Sequence, residues 1–81
     1  MNRRLINEAG QHLGRVHDLL IRRKDNMVEN IIVNAYVQDG GQQKEADLAL
    51  PYMPLGFTAY GLVYDIEVNE LKDMPVYPYV E

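Results

Sequence analysis

The side chains that could carry out catalysis or bind a metal are few in this sequence and are not grouped. His12 and His17 are five residues apart, so a regular strand would place them on opposite faces. With no cysteine and no third ligand nearby, this spacing does not predict a metal site. There is no serine nucleophile, and Gly40-Gly41 lacks the lysine and helix of a phosphate-binding loop. We therefore expect a protein that is not an enzyme and has no cofactor.

The basic triplet Arg22, Arg23 and Lys24 falls in a polar hairpin turn. Three cations at a hairpin tip can contact the phosphates of RNA or an acidic membrane surface. The alternative is a charged tip that only keeps the chain soluble, and the net charge of −4 argues against an unspecific nucleic-acid binder. Charge is nevertheless uneven, with six basic and two acidic residues in 1–24 and two basic and ten acidic residues in 25–81. This polarity favours either head-to-tail contact or an acidic partner, unless it is only a solvated surface.

Large apolar side chains outside the predicted strands form another candidate site. They belong to an apolar loop, residues 51–58, and to the tail, residues 76–81. Tyrosine and methionine are enriched at protein interfaces. Two interpretations are open. Both segments can fold back and plug the ends of the barrel, or they can form an intermolecular surface, and in a dimer the two interpretations are compatible. The residues concerned are Tyr52, Met53, Leu55, Phe57, Tyr77, Tyr79 and Val80.

The elements that must position these side chains are short strands separated by turns. Turn signals recur roughly every ten residues, and almost no segment has helical periodicity. The clearest strand, residues 28–37, places Ile31, Val33, Ala35 and Val37 on one face, which we expect to be the core face. Strands are also predicted at residues 4–6, 13–22, 46–50 and 60–68. This pattern predicts an all-β fold, a small antiparallel β-barrel of five to six strands with one short C-terminal helical turn.

Five residues are expected to have structural roles in this fold, namely Gly10, Gly14, Asp18, Pro51 and Asn69. Gly10 allows a positive φ in the first turn, Pro51 ends a strand, and Asn69 is the predicted N-cap of a helical turn at residues 70–74. Asp18 lies in a strand with imperfect alternation, which predicts either a bulge near Asp18 or burial of both strand faces. Its carboxylate is expected to be buried and to accept hydrogen bonds from backbone N–H groups or arginine.

Three motifs in order give the chain a resemblance to a known family. The first is a glycine turn at Gly10 followed by Gly14-x-Val16-x-Asp18-Leu19, the second is Leu48-Ala49-Leu50-Pro51, and the third is the acid-leucine-lysine turn within residues 69–75. Over roughly residues 4–77 the chain resembles PRC-barrel domains, a family that includes the cytoplasmic domain of the photosynthetic reaction-centre H subunit and the C-terminal domain of a ribosome maturation factor. Tyr52 stands where family members commonly have tryptophan or another aromatic residue, and the loop that follows it is longer.

The resemblance implies a compact barrel that serves as a docking surface, is often dimeric and is not an enzyme. We therefore expect one domain over residues 1–81 that acts as a non-catalytic adaptor and binds another protein and itself. The alternatives are an RNA- or ribosome-associated module and a domain that tunes an electron-transfer complex. No apolar run approaches the roughly 20 residues of a membrane helix. The basic start of the chain lacks the apolar region of a secretory signal, so a cytoplasmic location is expected.

Overall fold

The chain forms one six-stranded sheet and one short 3₁₀ helix. The computed structural model describes residues 3–77. The strands are β1 (Arg3–Ile6), β2 (His12–Arg22), β3 (Met27–Asp39), β4 (Gln42–Pro51), β5 (Gly56–Thr58) and β6 (Gly61–Val63), and the 3₁₀ helix spans Val68–Asp73. The predicted β-rich fold with one short C-terminal helical turn is confirmed.

The strand order β4-β3-β2-β1-β6-β5 departs from the expected antiparallel arrangement at one pair. β1 and β6 are parallel, with Leu5 opposite Leu62, whereas the other neighbouring strands are antiparallel. A hairpin cannot make a parallel pair, so the chain after β4 crosses back to place β6 beside β1. Within residues 3–77 the sheet has two ends, β4 and β5, and closure into a barrel is not confirmed.

One face of the sheet carries the main hydrophobic cluster, and Ile32 and Ala49, which pair with each other on the opposite face, are buried as well. Strict alternation along β3 puts Ile31, Val33 and Ala35 on the face of the main cluster, as the sequence predicts, with Val37 partly buried beside them. The 3₁₀ helix adds Leu71 to the same core. The buried cluster comprises Leu5, Leu13, Val16, Ile31, Val33, Ala35, Leu48, Leu50, Leu62, Tyr64 and Leu71.

A bulge interrupts β2, as one of the two interpretations of its sequence predicts. The register with β3 shifts between Val16 and Asp18. The expected burial of Asp18 is wrong, because its side chain is exposed and its carboxylate accepts the N–H of Leu19 at 2.8 Å. His17, which lies at the irregularity, is near Asp47, with 3.7 Å between imidazole Nε2 and carboxylate Oδ2.

The C-terminal part of the chain is less regular than its alternating sequence suggests. The strand predicted over residues 60–68 ends at Val63, because the N–H of Ile66 bonds to the carbonyl of Tyr64 at 3.0 Å and turns the backbone. Asn69 is not the N-cap, since the 3₁₀ helix starts at Val68. The N-cap is Glu67, the residue before the helix, and the Glu70 carboxylate accepts its N–H at 3.0 Å.

Gly10 and Pro51 lie where the sequence predicts a turn and a strand end, and Gly14 lies at a close contact between two strands. Gly10 has φ +83° in the turn between β1 and β2. Gly14 allows β2 to approach β3 closely, because a Cβ atom there would lie 2.7 Å from Val33 Cγ1 and closer still to the carbonyl oxygen of Asn34. Pro51 is the last residue of β4.

The beginning of the C-terminal tail lies along the outer edge of β4. The N–H of Ala49 donates to the carbonyl of Pro75 at 2.9 Å, and the N–H of Tyr77 donates to the carbonyl of Asp47 at 2.8 Å. Val76 therefore forms a bridge opposite Leu48. Tyr79 and Val80, which are predicted interface residues, are outside the described residues.

Candidate functional site

A groove on the core side of the sheet, which we call the aromatic groove, brings part of the predicted interface together. Its volume is about 580 Å³. The floor is apolar and comes from β2, β3 and β6, while the loop after β4 and strand β5 supply the rim. The lining residues are Arg3, Val16, Leu19, Val28, Ile31, Tyr52, Leu55, Phe57 and Leu62.

The loop after β4 divides its side chains between the core and the solvent. Met53 and Leu55 pack against the buried core. Tyr52 remains 48% exposed and Phe57 79% exposed. The segment 51–58 therefore directs some of its large side chains to the core and others to the solvent.

The position of Phe57 follows from the sheet order. Phe57 is directly opposite Leu62 in the β5–β6 pair, so its side chain lies on the core side. However, β5 is the last strand of the sheet, and among residues 3–77 no strand lies beyond it. The phenyl ring therefore stands at the open side of the groove.

Three hydrogen bonds hold the start of the loop against the rest of the fold. The Tyr64 hydroxyl donates to the carbonyl oxygen of Pro51 at 2.5 Å, and the N–H of Tyr52 donates to the carbonyl of Glu29 at 3.2 Å. The amide of Asn30 donates to the carbonyl of Leu50 at 3.3 Å. Burial raises the pKa of Tyr64, and the nearby Glu70 carboxylate raises it further. The start of the loop, including Tyr52, is therefore attached to the rest of the fold at several points.

The basic hairpin projects from the two strands that line one end of the aromatic groove. Arg23 and Lys24 are exposed at its tip. Arg22 donates two hydrogen bonds to Asp25, at 3.0 Å from Nε and 2.8 Å from Nη2. The Arg22 guanidinium consequently holds the pKa of the Asp25 carboxyl below its usual value. Part of the positive charge expected at this tip is compensated within the turn.

The structure does not bring the whole predicted interface to one place. Tyr77 lies beside β4, at the other edge of the sheet from β5. Met53 packs on the core and does not line the groove. Tyr52, Leu55 and Phe57 are thus the predicted interface residues that share a surface.

Sequence reasoning missed two side chains that position this surface. Tyr64 is 1% exposed and connects the region after β6 to the end of β4, although it was read only as part of a regular strand. Buried Asn7 accepts the N–H of Gln11 at 2.9 Å and closes the turn that contains Gly10. An asparagine shortly before a glycine is a signal for such a turn, whereas no sequence signal indicates the role of Tyr64.

Among residues 3–77 no three histidine or carboxylate side chains come together as metal ligands. No helix in this part of the chain is long and apolar enough to cross a membrane. Comparisons with protein-family models, with curated proteins and with solved structures found no match.

Proposed function

We propose that this chain is a non-catalytic adaptor of the PRC-barrel type that associates with a second copy of itself through the aromatic groove. The observation that carries the proposal is the 79% exposure of Phe57 at the open side of an apolar groove. A large aromatic side chain beside an apolar depression is typical of the anchor residues of protein interfaces.

Covering this ring contributes a sizeable part of the free energy that association needs. Burying a phenylalanine side chain is worth roughly 1.5–3 kcal/mol relative to leaving it exposed. A two-fold dimer buries the same residue twice, which doubles the term to roughly 3–6 kcal/mol. Tyr52 adds a second partly exposed ring on the same rim.

A second copy suits this surface because the groove lies at a sheet edge. The edge formed by β4 is already paired in part with residues 75–77. The edge formed by β5 has no such neighbour among the described residues. Antiparallel pairing of β5 with the same strand of a second copy joins two sheets and places the two Phe57 rings at one interface.

The test compares aromatic substitutions on opposite faces of the sheet. Phe57→Ser removes the anchor, whereas Tyr36→Ser removes a ring that is 63% exposed on the other face. Sedimentation equilibrium over a concentration series should show a dimer for the parent and for Tyr36→Ser. Phe57→Ser should raise the dimer dissociation constant by roughly 100-fold or more, at tenfold per 1.4 kcal/mol.

Circular dichroism separates loss of association from loss of fold. Because β5 is a short edge strand and the Phe57 ring is not part of the buried core, the substitution should leave the fold intact. The β-sheet signal of Phe57→Ser should equal that of the parent. A parent that stays monomeric at high concentration refutes self-association. Equal dissociation constants for both serine variants and the parent refute the choice of surface.

The alternative function, RNA or ribosome contact through Arg22, Arg23 and Lys24, has weaker support. Arg23 and Lys24 are exposed, but Arg22 is engaged by Asp25. This alternative requires RNA affinity that falls steeply with salt and is lost when the three cations are reversed in charge. RNA binding that does not change with salt excludes it.

A further inference from the structure

Two arginines face each other on neighbouring strands without a compensating acid. Arg4 in β1 is directly opposite Arg15 in β2. Like charges opposite each other in an antiparallel pair repel, because their Cβ atoms are only about 4.5–5.5 Å apart. Within residues 3–77 the ion pairs involve His17 with Asp47 and Arg22 with Asp25, so neither Arg4 nor Arg15 has a carboxylate partner there. This arrangement lowers the stability of the fold, so the arginine pair is better explained by a role other than stabilisation.

Arg4 lines a small cavity on the face of the sheet opposite the aromatic groove, and Arg15 lies directly opposite Arg4 at its border. The cavity has a volume of about 340 Å³ and is lined by Arg4, Ile6, Gly10, His12 and Tyr60. Burial lowers the pKa of His12, and the positive charges of Arg4 and Arg15 lower it further. Both guanidinium groups therefore act on the imidazole that lines this cavity.

The side chains around the cavity are held by ordered turns. The turn after β1 is closed by Asn7 and Gln11, which exchange side-chain and backbone hydrogen bonds of 2.9–3.0 Å. The turn before β6 is closed by the Thr58 hydroxyl, which accepts the N–H of Tyr60 at 3.1 Å. Gly61 lies so close to the backbone of Arg4 that a Cβ atom there would be 2.6 Å from the Arg4 carbonyl oxygen. This contact brings Tyr60 beside Arg4.

We propose that Arg4, Arg15, His12 and Tyr60 form a binding site for a small phosphate monoester. Guanidinium groups match the geometry of phosphate oxygens and donate paired charge-assisted hydrogen bonds. Imidazole and phenol groups add further donors. A dianion placed between the arginines also removes the repulsion that the empty site contains. The exposed ring of Tyr60 and the side chain of Ile6 supply an apolar wall for the organic part of the ester.

The size and composition of the cavity favour a small molecule over a polymer. Its volume falls at the lower end of the range for small-molecule pockets, about 300–1,000 Å³. The phosphate group can belong to inorganic phosphate or to a phosphate ester. Only the ester has an organic part that can contact the apolar wall and gain affinity from it. Inorganic phosphate, adenosine monophosphate and adenosine are therefore the three probes.

The test follows the ring resonances of His12 by NMR during titration with each probe, with His17 as an internal control. His17 is beside Asp47 and away from the cavity. Adenosine monophosphate should shift the His12 resonances and raise the pKa of His12, because the bound anion offsets the charges of Arg4 and Arg15. Inorganic phosphate should do the same more weakly. An equal response to adenosine, or no response to either phosphate probe at millimolar concentrations, overturns the proposal.

Variants then separate a binding role from a structural one. Arg15→Gln should weaken the binding of adenosine monophosphate by at least about tenfold, because a charge-assisted contact is lost. Arg23→Gln, which changes an exposed arginine of the hairpin, should leave the affinity unchanged. Without ligand, Arg15→Gln should melt at a higher temperature than the parent, because the repulsion from Arg4 is removed. Equal affinities for the two variants, or a lower melting temperature for Arg15→Gln without ligand, contradict the assignment.

Discussion

Replacing Tyr64 with phenylalanine removes one hydroxyl group from the interior and leaves the ring in place. The side chain is 1% exposed, and its hydroxyl donates to the carbonyl oxygen of Pro51 at 2.5 Å. The backbone N–H of Tyr64 also donates to the carbonyl of Ile6 at 2.9 Å. One residue therefore connects the region after β6 both to β1 and to the end of β4.

The expected loss follows from the part-buried position of this hydrogen bond, whose donor lies on a buried side chain. A typical intramolecular hydrogen bond contributes about 0.5–1.5 kcal/mol, and a buried acceptor left without a donor costs about 1–3 kcal/mol. We expect Tyr64→Phe to lower the free energy of unfolding by about 1–2 kcal/mol. For a domain of this size, each kcal/mol corresponds to roughly 4–8 °C, so the melting temperature should fall by roughly 4–16 °C.

The same hydroxyl predicts how stability changes at alkaline pH. Burial, and then the Glu70 carboxylate, raise the pKa of Tyr64 in the folded state above its unfolded value of about 10. A raised folded pKa means that this group's contribution is fully present below about pH 10 and is lost as the pH rises through the folded pKa. Tyr64→Phe should therefore lose less stability than the parent between neutral and alkaline pH.

Thermal melts at neutral and alkaline pH test both statements, with Tyr36→Phe as the control. Tyr36 is 63% exposed, so loss of its hydroxyl should leave the melting temperature unchanged. Absorbance titration of the tyrosines should show that the last group to ionise is missing in Tyr64→Phe. The reasoning fails if Tyr64→Phe melts with the parent at neutral pH, or if both phenylalanine variants respond identically to alkali.

Two backbone positions give further predictions. Gly14→Ala should lower the free energy of unfolding, measured in urea, by about 1–3 kcal/mol, because the new methyl group overlaps Val33 and the Asn34 carbonyl. Gly56→Ala is the control, since its nearest contact would be an ordinary 3.4 Å. Equal urea midpoints for the two variants would contradict the reasoning. Asn7→Ala should cost about 1–2 kcal/mol and speed amide exchange at Gln11, which loses its side-chain acceptor. Unchanged exchange at Gln11 would show that the turn does not depend on Asn7.

Sequence reasoning succeeded where neighbours along the chain decide the structure. The alternation of β3 indicated its core face, and Gly10 and Pro51 marked a turn and a strand end. It failed at Asp18, where a bulge breaks the alternation. The carboxylate of Asp18 was expected inside, but the bulge in β2 turns it to the surface.

The candidate sites divide in the same way. The aromatic loop was recognised from composition, but which of its rings face solvent depends on where β5 ends the sheet. The cavity around His12 had no signal, because Arg4, Arg15 and Tyr60 are far apart in sequence. Their proximity arises from the pairing of β1 with β2 and from the close approach of Gly61 to Arg4.

The sequence by itself determined that this chain is rich in β-strands, where most strands lie and which side chains of β3 enter the core. These properties follow from alternation with a period of two and from turn residues, both of which act over a few positions. Only the tertiary structure decided the parallel pairing of β1 with β6, the edge position of β5 and the meeting of two arginines beside a histidine. Such features depend on which distant strands become neighbours, and the free energy of that choice comes from the whole buried core rather than from any local segment.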